Sequence, residues 1–313
     1  MNAVKISICI PTFQRVNFLK RLLDSISVQS FKDFEVIVTD DSPEDDVRKL
    51  SQEYENKFSL RYFKNVVPLG TPANWNQAIR HARGEWIKLM HDDDWFSSSE
   101  SLEIFSQYTS ADSKFIFSGY TRVYTDEKKL PQTLIADSSV YESIQKEPNL
   151  LFVNNWIGPP SVTLVHRSVK DIYDEKLKWR VDIDFYMRLL ENGEKFVYIN
   201  HSLINIGMSG LQVTQSSIND PKVELPEGWI ILKKHGVRSL RNIRIYDAWW
   251  RLFRNTNVRT ERQLLSYADE KWPKVILRMI KDMDKVPSIF LSWGLTNKMC
   301  MSLSYLKNSS SID

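Results

Sequence analysis

Three features of the 313-residue sequence predict an α/β fold, a mostly parallel sheet flanked by helices, with a helical C-terminal extension. Short apolar runs alternate with segments of helical periodicity over the first hundred residues, the order expected of parallel strands joined by crossover helices. Polar and acidic side chains recur where the predicted strands end, which is where such sheets bind ligands. After about residue 226 the strand signals stop and the pattern becomes helical.

"KISICI", residues 5–10, reads as a buried strand closed by Pro11, which cannot donate to a central ladder. Val16, Leu19, Leu22, Leu23 and Ile26 then recur at helical spacing over 16–28. "FEVIVTDDS" is a second strand with Asp40, Asp41 and Ser42 at its end, and 44–56 a polar surface helix. "SLRYFKN" is a third strand, and "GTPANWNQAIRHARGEW" a turn followed by a helix that Gly84 ends. "WIKLM" is a fourth strand, running into three aspartates. Thr12 and Arg15, Asp40 and Asp41, and Asp92 to Asp94 would therefore converge on one rim.

Beyond residue 100 the alternation loosens. "SKFIFSGYTRVYT" reads as a strand, "LFVNNWIGPPSVTLVHRSV" as a two-proline loop and a strand, and "VDIDFYMRLLENGEKFVYI" as a helix stopped near Gly193 and a strand. Helices are expected over roughly 226–235, 239–255, 259–268 and 271–301, with breaks at Gly236, Pro273 and Pro287. The division this suggests is a body over 1–225, with halves 1–100 and 101–225, and a C-terminal region over 226–313.

Charge divides at the same place. Residues 226–313 hold 16 Lys/Arg against 8 Asp/Glu, and 1–225 hold 26 against 31. A basic, Trp-rich tail suggests an anionic surface as partner. The helix over 239–255 would set Leu240, Ile243, Trp250 and Phe253 on one side, either against the body or on an anionic membrane. Nucleic acid is a poor candidate, since no recognised binding module accompanies the charge. No apolar run is long enough to span a bilayer, and the N-terminus does not look like a signal peptide. Cys9 and Cys300 make no disulfide framework, so a cytoplasmic protein is expected.

"KLMHDDDWF", residues 88–96, carries the chemistry. Adjacent carboxylates repel, and a hard divalent cation that prefers oxygen ligands removes that repulsion. Mg²⁺ or Mn²⁺ held this way fills its shell with phosphate oxygens. A solvated acidic turn or a helix cap is the plain alternative. The missing glycines in "PTFQR" exclude a dinucleotide dehydrogenase and a sugar-nucleotide pyrophosphorylase, both of which need a Gly-rich loop after the first strand.

"ISICIPTFQR", "DSISVQSFKDFEVIVTDDSPED" and "NWNQAIRHARGEWIKLMHDDDWF" together resemble family 2 of the glycosyltransferases, with the GT-A fold. The resemblance covers roughly 4–205 and is densest over 4–96. It implies an inverting transferase that moves a sugar from a nucleotide-diphosphate donor, expected to be a UDP-sugar, to a glycan or an undecaprenyl-diphosphate-linked saccharide in bacterial surface-polysaccharide assembly. Pro11, Thr12, Phe13 and Arg15 would border base and ribose, and Asp41 would accept a hydrogen bond from the base. Asp92 would lie nearer the ribose, Asp93 would ligate Mn²⁺ or Mg²⁺, and Asp94 would touch the sugar or back the metal. His91 stands where many members have aspartate. Asn76 and Arg80 would face the nucleotide. "RVDIDFYMRLLENG" supplies the catalytic base, Asp182, with Asp184 in reserve and Val181 where Glu is usual. Trp156 would stack on the acceptor, and His201 would be a second metal ligand, while His166 reads as structural. The rival from another class is a glycan-binding scaffold on a degenerate form of the fold.

Overall fold

The computed structural model describes residues 4–110, 112–124, 129–170, 172–209 and 217–312. The chain forms two compact units. The first comprises residues 1–145, 156–175 and 189–211, and the second 146–155, 176–188 and 212–313.

Among the described residues, the first unit is built on one nine-stranded sheet. β1 (Ile6–Thr12), β2 (Phe34–Asp40), β3 (Leu60–Lys64) and β4 (Trp86–Leu89) lie parallel in the order β3-β2-β1-β4. β1 and β2 are buried along their whole length, as continuous apolar runs in a parallel sheet should be. Helix α1 (Val16–Ser27) buries Leu19, Leu22, Leu23 and Ile26, the face its spacing predicted. α2 (Asp46–Gln52) is shorter than expected, and α3 (Ala73–His81) returns the chain to β4. Two-residue β5 (Trp95–Phe96) and α4 (Ser101–Gln107) follow.

The sheet continues through β8 (Thr163–His166), β6 (Phe115–Tyr124) and β9 (Phe196–Met208) to β5, with β7 (Gln132–Leu134) beside β6. β6 and β9 pair in parallel, whereas β8 is antiparallel to both its neighbours. α5 (Ser138–Lys146) packs Tyr141 inward against Phe117.

Gly84 has a different role from the helix stop that its position suggested. α3 ends at His81, and Gly84 lies against β1, where its N–H donates to Ser7 Oγ at 2.7 Å. A β-carbon there would stand 2.6 Å from the Ser7 nitrogen, so close backbone approach is what requires glycine.

The second unit is helical. α6 (Val181–Glu191) begins in it, and α7 (Pro221–His235), α8 (Ile243–Asn255), α9 (Glu261–Tyr267), α10 (Lys274–Asp284), α11 (Ser288–Ser292) and α12 (Gly294–Asn308) complete it. α7 starts five residues before Pro226, because Asp220 caps it by accepting from the Lys222 N–H. Asn242 caps α8 in the same way, so that helix begins at Ile243 rather than 239. The apolar side of α8 is covered within this unit: Tyr246, Trp249, Trp250 and Phe253 are buried, and Trp249 stacks on Phe152 at 4.8 Å. Of the four residues suggested for membrane contact, Leu240, Trp250 and Phe253 are thus internal, and Ile243 is exposed.

Candidate active site

β1, β2 and β4 are neighbours and parallel, so their carboxyl ends share a rim. After β4, Met90 N–H still donates to the Cys9 carbonyl at 2.9 Å, and the chain then turns sharply, with Asp94 N–H donating to the His91 carbonyl at 3.1 Å. That turn gathers His91, Asp92, Asp93 and Asp94.

Each carboxylate is held differently. Asp92 accepts from Thr12 Oγ1 at 2.8 Å and from Arg15 Nη1 at 3.3 Å, and the same Arg15 nitrogen reaches Asp93 at 3.1 Å. Arg21 donates to the Asp93 carbonyl at 2.6 Å while its guanidinium lies 3.7 Å from the centre of the Trp95 ring. Asp94 Oδ1 accepts from the Gly207 N–H at 3.1 Å. Ser161 Oγ accepts from the His91 N–H at 2.9 Å, and the His91 ring lies against Trp75. Burial, reinforced by the charge of Asp93, raises Asp92 to about 7 and Asp94 well above the usual carboxylate range. Burial also lowers the His91 pKa, favouring the neutral imidazole that a metal needs.

The donor set fits a divalent cation. His91, Asp93 and Asp94 can each offer one atom, all within 4.8 Å of one another. His91 Nε2 and Asp94 Oδ2 are buried with no hydrogen-bond partner, an expensive state for polar atoms. His91 thus joins Asp93 as a possible ligand, which the sequence did not indicate. His201 does not. It is exposed on β9, six residues from Gly207, and six residues of strand span roughly 20 Å.

Other candidates have different surroundings. Pro11 and Thr12 are buried at the end of β1, and Phe13 is half exposed beside them. Asp40 is the last residue of β2 and is fully buried, accepting from Tyr62 Oη, Lys64 Nζ and the Ser42 N–H. Asp41 accepts from the Leu69 and Gly70 N–H groups and from Asn65 Nδ2, so it fastens the loop after β3. Asn76 is a correction. It is fully buried, its amide donates to the Tyr173 carbonyl and Glu175, and its oxygen accepts from the Tyr173 N–H. It clamps the 173–175 segment and faces no nucleotide. Arg80 pairs with Glu175 at 3.2 Å. Trp156 is half-buried just before the Gly158-Pro159-Pro160 turn, and half-buried His166 ends β8, edge-on to Trp86.

In the second unit, Asp182 lies in the first turn of α6 and is not its cap. Its carboxylate accepts from Asn155 Nδ2 at 2.7 Å and from the Ile183 N–H at 2.8 Å. Burial outweighs those bonds and the charge of Arg180, and raises Asp182 to about 6. Asp184 is the opposite case. Burial opposes its ionisation, but hydrogen bonds from His235 and Lys234 and the Arg188 charge overcome it and hold it at about 2. A carboxylate paired with Lys234 and Arg188 and bonded to the His235 ring is a weak base, so Asp184 is a structural anchor.

Three supporting residues escaped the sequence reading. Glu227 of α7 accepts from the N–H groups of Lys178, Trp179 and Arg180, fixing the approach to Asp182. Lys88 is wholly buried in β4 and donates to the Ser161 and Thr163 carbonyls, steadying the loop that holds His91. Gly207 packs so closely that a β-carbon would stand 2.2 Å from the Asp93 carbonyl oxygen. A lysine in an apolar run and a glycine in a strand were the available signals.

Residues 7–171 match the family model described as glycosyl transferase family 2. An uncharacterized glycosyltransferase of Rickettsia typhi is 24% identical over 68% of this chain and 67% of its own length. The GalNAc(5)-diNAcBac-PP-undecaprenol beta-1,3-glucosyltransferase of Campylobacter jejuni is 36% identical over 29% of this chain and 30% of its own. The putative colanic acid biosynthesis glycosyl transferase WcaA of Escherichia coli is 26% identical over 67% of this chain and 76% of its own. Across the first four relatives the match spans between 19% and 67% of their lengths. The structure of Staphylococcus aureus TarS 1-349 in complex with UDP superposes with a TM-score of 0.60 over 98% of this chain and 90% of that one, at 16% identity. The Pyrobaculum calidifontis mannosyltransferase PcManGT in complex with GDP-Man and Mn²⁺ gives 0.56 over 98% and 86%, at 11%. A family match over more than half the chain, on this sheet and with this acidic turn, makes the protein a glycosyltransferase of family 2 with the GT-A fold.

Proposed function

We propose that the protein transfers a sugar, with inversion, from a UDP-linked donor to a glycan or lipid-diphosphate-linked saccharide in surface-polysaccharide assembly. The observation that supports it most directly is the group His91, Asp93 and Asp94, with two buried ligand atoms that have no partner. These residues would hold Mn²⁺ or Mg²⁺, which supplies Lewis-acid neutralisation of charge on the departing diphosphate. TarS was seen with UDP and UDP-GlcNAc and PcManGT with GDP-Man and Mn²⁺, so UDP is the first donor to test and GDP the second.

The chain's own residues divide the remaining work. Thr12 and Arg15 orient Asp92 and Asp93 at the edge of the nucleotide site, while Pro11 and Phe13 border base and ribose. Asp41 shapes the loop after β3 that would close over the base. Asp182 takes the proton from the acceptor hydroxyl as that oxygen attacks the anomeric carbon and the bond to the diphosphate breaks. With a pKa of about 6 it is ionised at neutral pH yet more basic than an ordinary aspartate. Asn155 and the Ile183 N–H each hold one oxygen, which fixes the plane of the carboxylate. Trp156 would offer its ring to the acceptor. The Campylobacter relative acts on an undecaprenol-linked glycan by name, which supports a lipid-linked acceptor here.

Calorimetric titration of UDP with Mn²⁺, and again with EDTA, tests the reading. Metal-dependent binding that Asp93→Ala abolishes is the expected result. Silence towards UDP, GDP, CDP and dTDP in both conditions would overturn it in favour of a glycan-binding scaffold.

A further inference from the structure

We infer that α12, with α11 and Trp293 before it, is a docking face for an anionic lipid bilayer. α12 is amphipathic with its faces reversed. It turns polar side chains inward: Asn297 Oδ1 accepts from Trp250 Nε1 at 2.8 Å, Ser304 Oγ meets Tyr246 Oη at 2.8 Å, and Asn308 Nδ2 donates to Asp282 at 2.8 Å. It turns Leu295, Met299, Leu303 and Leu306 outward, each between 59% and 78% exposed. Their spacing of four, four and three residues makes one stripe about 17 Å long. The inward bonds fix the rotation of the helix, so the stripe cannot roll into the core without breaking them. Ile289 and Phe290 of α11, and Trp293 between the helices, are exposed as well.

Charge identifies the occupant. At 100° per residue Lys298 and Lys307 fall on opposite flanks of the stripe, and both are well exposed. Their acidic partners, Asp247 and Asp282, belong to α8 and α10. From Lys285 to Asp313 the sequence has three lysines against one aspartate, within a region, 226–313, of 16 Lys/Arg against 8 Asp/Glu. An apolar stripe edged by lysines, with a tryptophan at one end, suits the boundary between acyl chains and anionic headgroups. A second copy fits less well, because symmetric pairing brings like lysines together. No helix among the described residues is long and apolar enough to cross a membrane, so the contact lies along the surface.

Flotation of the full chain with vesicles tests this without reference to catalysis. The wild type is expected to float with equimolar phosphatidylglycerol and phosphatidylcholine, and poorly with phosphatidylcholine alone. Combining Leu295→Ser, Met299→Ser, Leu303→Ser and Leu306→Ser should lower partitioning about a hundredfold. Lys298→Gln with Lys307→Gln should lower it roughly tenfold. UDP binding by both variants should stay at the wild-type level, which separates loss of docking from failure of the donor-site reading. A wild type that floats with neither vesicle, or a quadruple variant that floats like the wild type, overturns the inference. So does a wild-type dimer in sedimentation that the quadruple variant converts to monomer, since the stripe would then join copies.

Discussion

Gly207→Ala is the sharpest test of how the acidic turn is supported. The added β-carbon would stand 2.2 Å from the Asp93 carbonyl oxygen, 3.0 Å from Arg21 Nη2 and 3.3 Å from the Asp93 carbonyl carbon. Packed non-bonded atoms rest at roughly 3.5 Å, so relief needs about 1 Å of backbone movement. Two hydrogen bonds lie in its path: Arg21 to the Asp93 carbonyl at 2.6 Å, and the Gly207 N–H to Asp94 at 3.1 Å. The first has a charged donor, of the kind that contributes about 1.5–3 kcal/mol, and the second ends on a carboxyl whose pKa burial raises, an ordinary bond of about 0.5–1.5 kcal/mol. Losing most of both destabilises the first unit by about 2–4 kcal/mol, lowering its Tm by about 10 °C. Mn²⁺ affinity should fall at least tenfold, because Asp93 and Asp94 move together.

The assay pairs calorimetric unfolding with Mn²⁺ titration, and uses Gly84→Ala as its reference. A β-carbon at Gly84 meets Ser7 at 2.6 Å and disturbs β1 without touching the acidic turn. Gly84→Ala should therefore lower Tm while folded protein keeps its Mn²⁺ affinity. A Gly207→Ala protein with unchanged Tm and unchanged Mn²⁺ affinity would refute the account of the turn.

Asp182→Asn should leave UDP binding intact and remove turnover, and normal transfer by that variant would exclude it as the base. In the wild type kcat/KM should fall as pH drops through about 6, where Asp182 takes up its proton. Stability runs the other way for this group. Its folded pKa lies above the ordinary 3.8, so its ionisation costs up to about 3 kcal/mol, lost as pH rises from about 4 to 6. Asp184 has the opposite sign: held at about 2, it contributes about 2 kcal/mol above pH 4 that disappears as pH falls through 2, visible as an acid unfolding limb that Asp184→Asn removes. Lys88→Met should destabilise by about 2–4 kcal/mol in denaturant titration, because the Ser161 and Thr163 carbonyls are left as buried acceptors without their donor. Wild-type stability in that variant would show that these two hydrogen bonds are dispensable.

The first half of the sheet was legible because its signals are local. β1 to β4 are apolar runs separated by periodic helices, and each requires only its own residues to be recognised. The acidic turn was legible for the same reason, since like charges in one short stretch demand compensation. What supplies it was not. Thr12 and Arg15 lie some eighty residues before the aspartates they hold, and Gly207 more than a hundred after. Asn76 read as a site residue because an exposed and a buried asparagine look alike in sequence. Only Tyr173 and Glu175, nearly a hundred residues away, decide between them. The C-terminal helices left two readings open, packing against the body or contact with an anionic membrane. The Trp-rich side of α8 packs within its own unit, while the helix that exposes its apolar side is α12, and only its inward bonds to Trp250 and Tyr246 determine that direction.

The two carboxylates weighed as bases show why residue type alone could not assign roles. Asp182 and Asp184 are two positions apart on one helix, share a burial cost, and differ in what surrounds them. Asp184 points to Lys234, His235 and Arg188, and two cations with a histidine hydrogen bond hold it ionised. Asp182 has a neutral amide, backbone N–H groups and the charge of Arg180, which cannot offset the burial, so its proton affinity rises. Two positions along a helix is a rotation of about 200°, enough to send one side chain to a cationic cluster and its neighbour to the opposite face. A general base must release its proton readily and still take one at neutral pH. Of the pair, only the carboxylate denied a full countercharge meets both conditions. Asn155→Leu would test the point: without the amide, Asp182 should titrate higher still, and the acid limb of kcat/KM should move upward from about 6. An unmoved limb would mean that another group, and not Asp182, sets the profile.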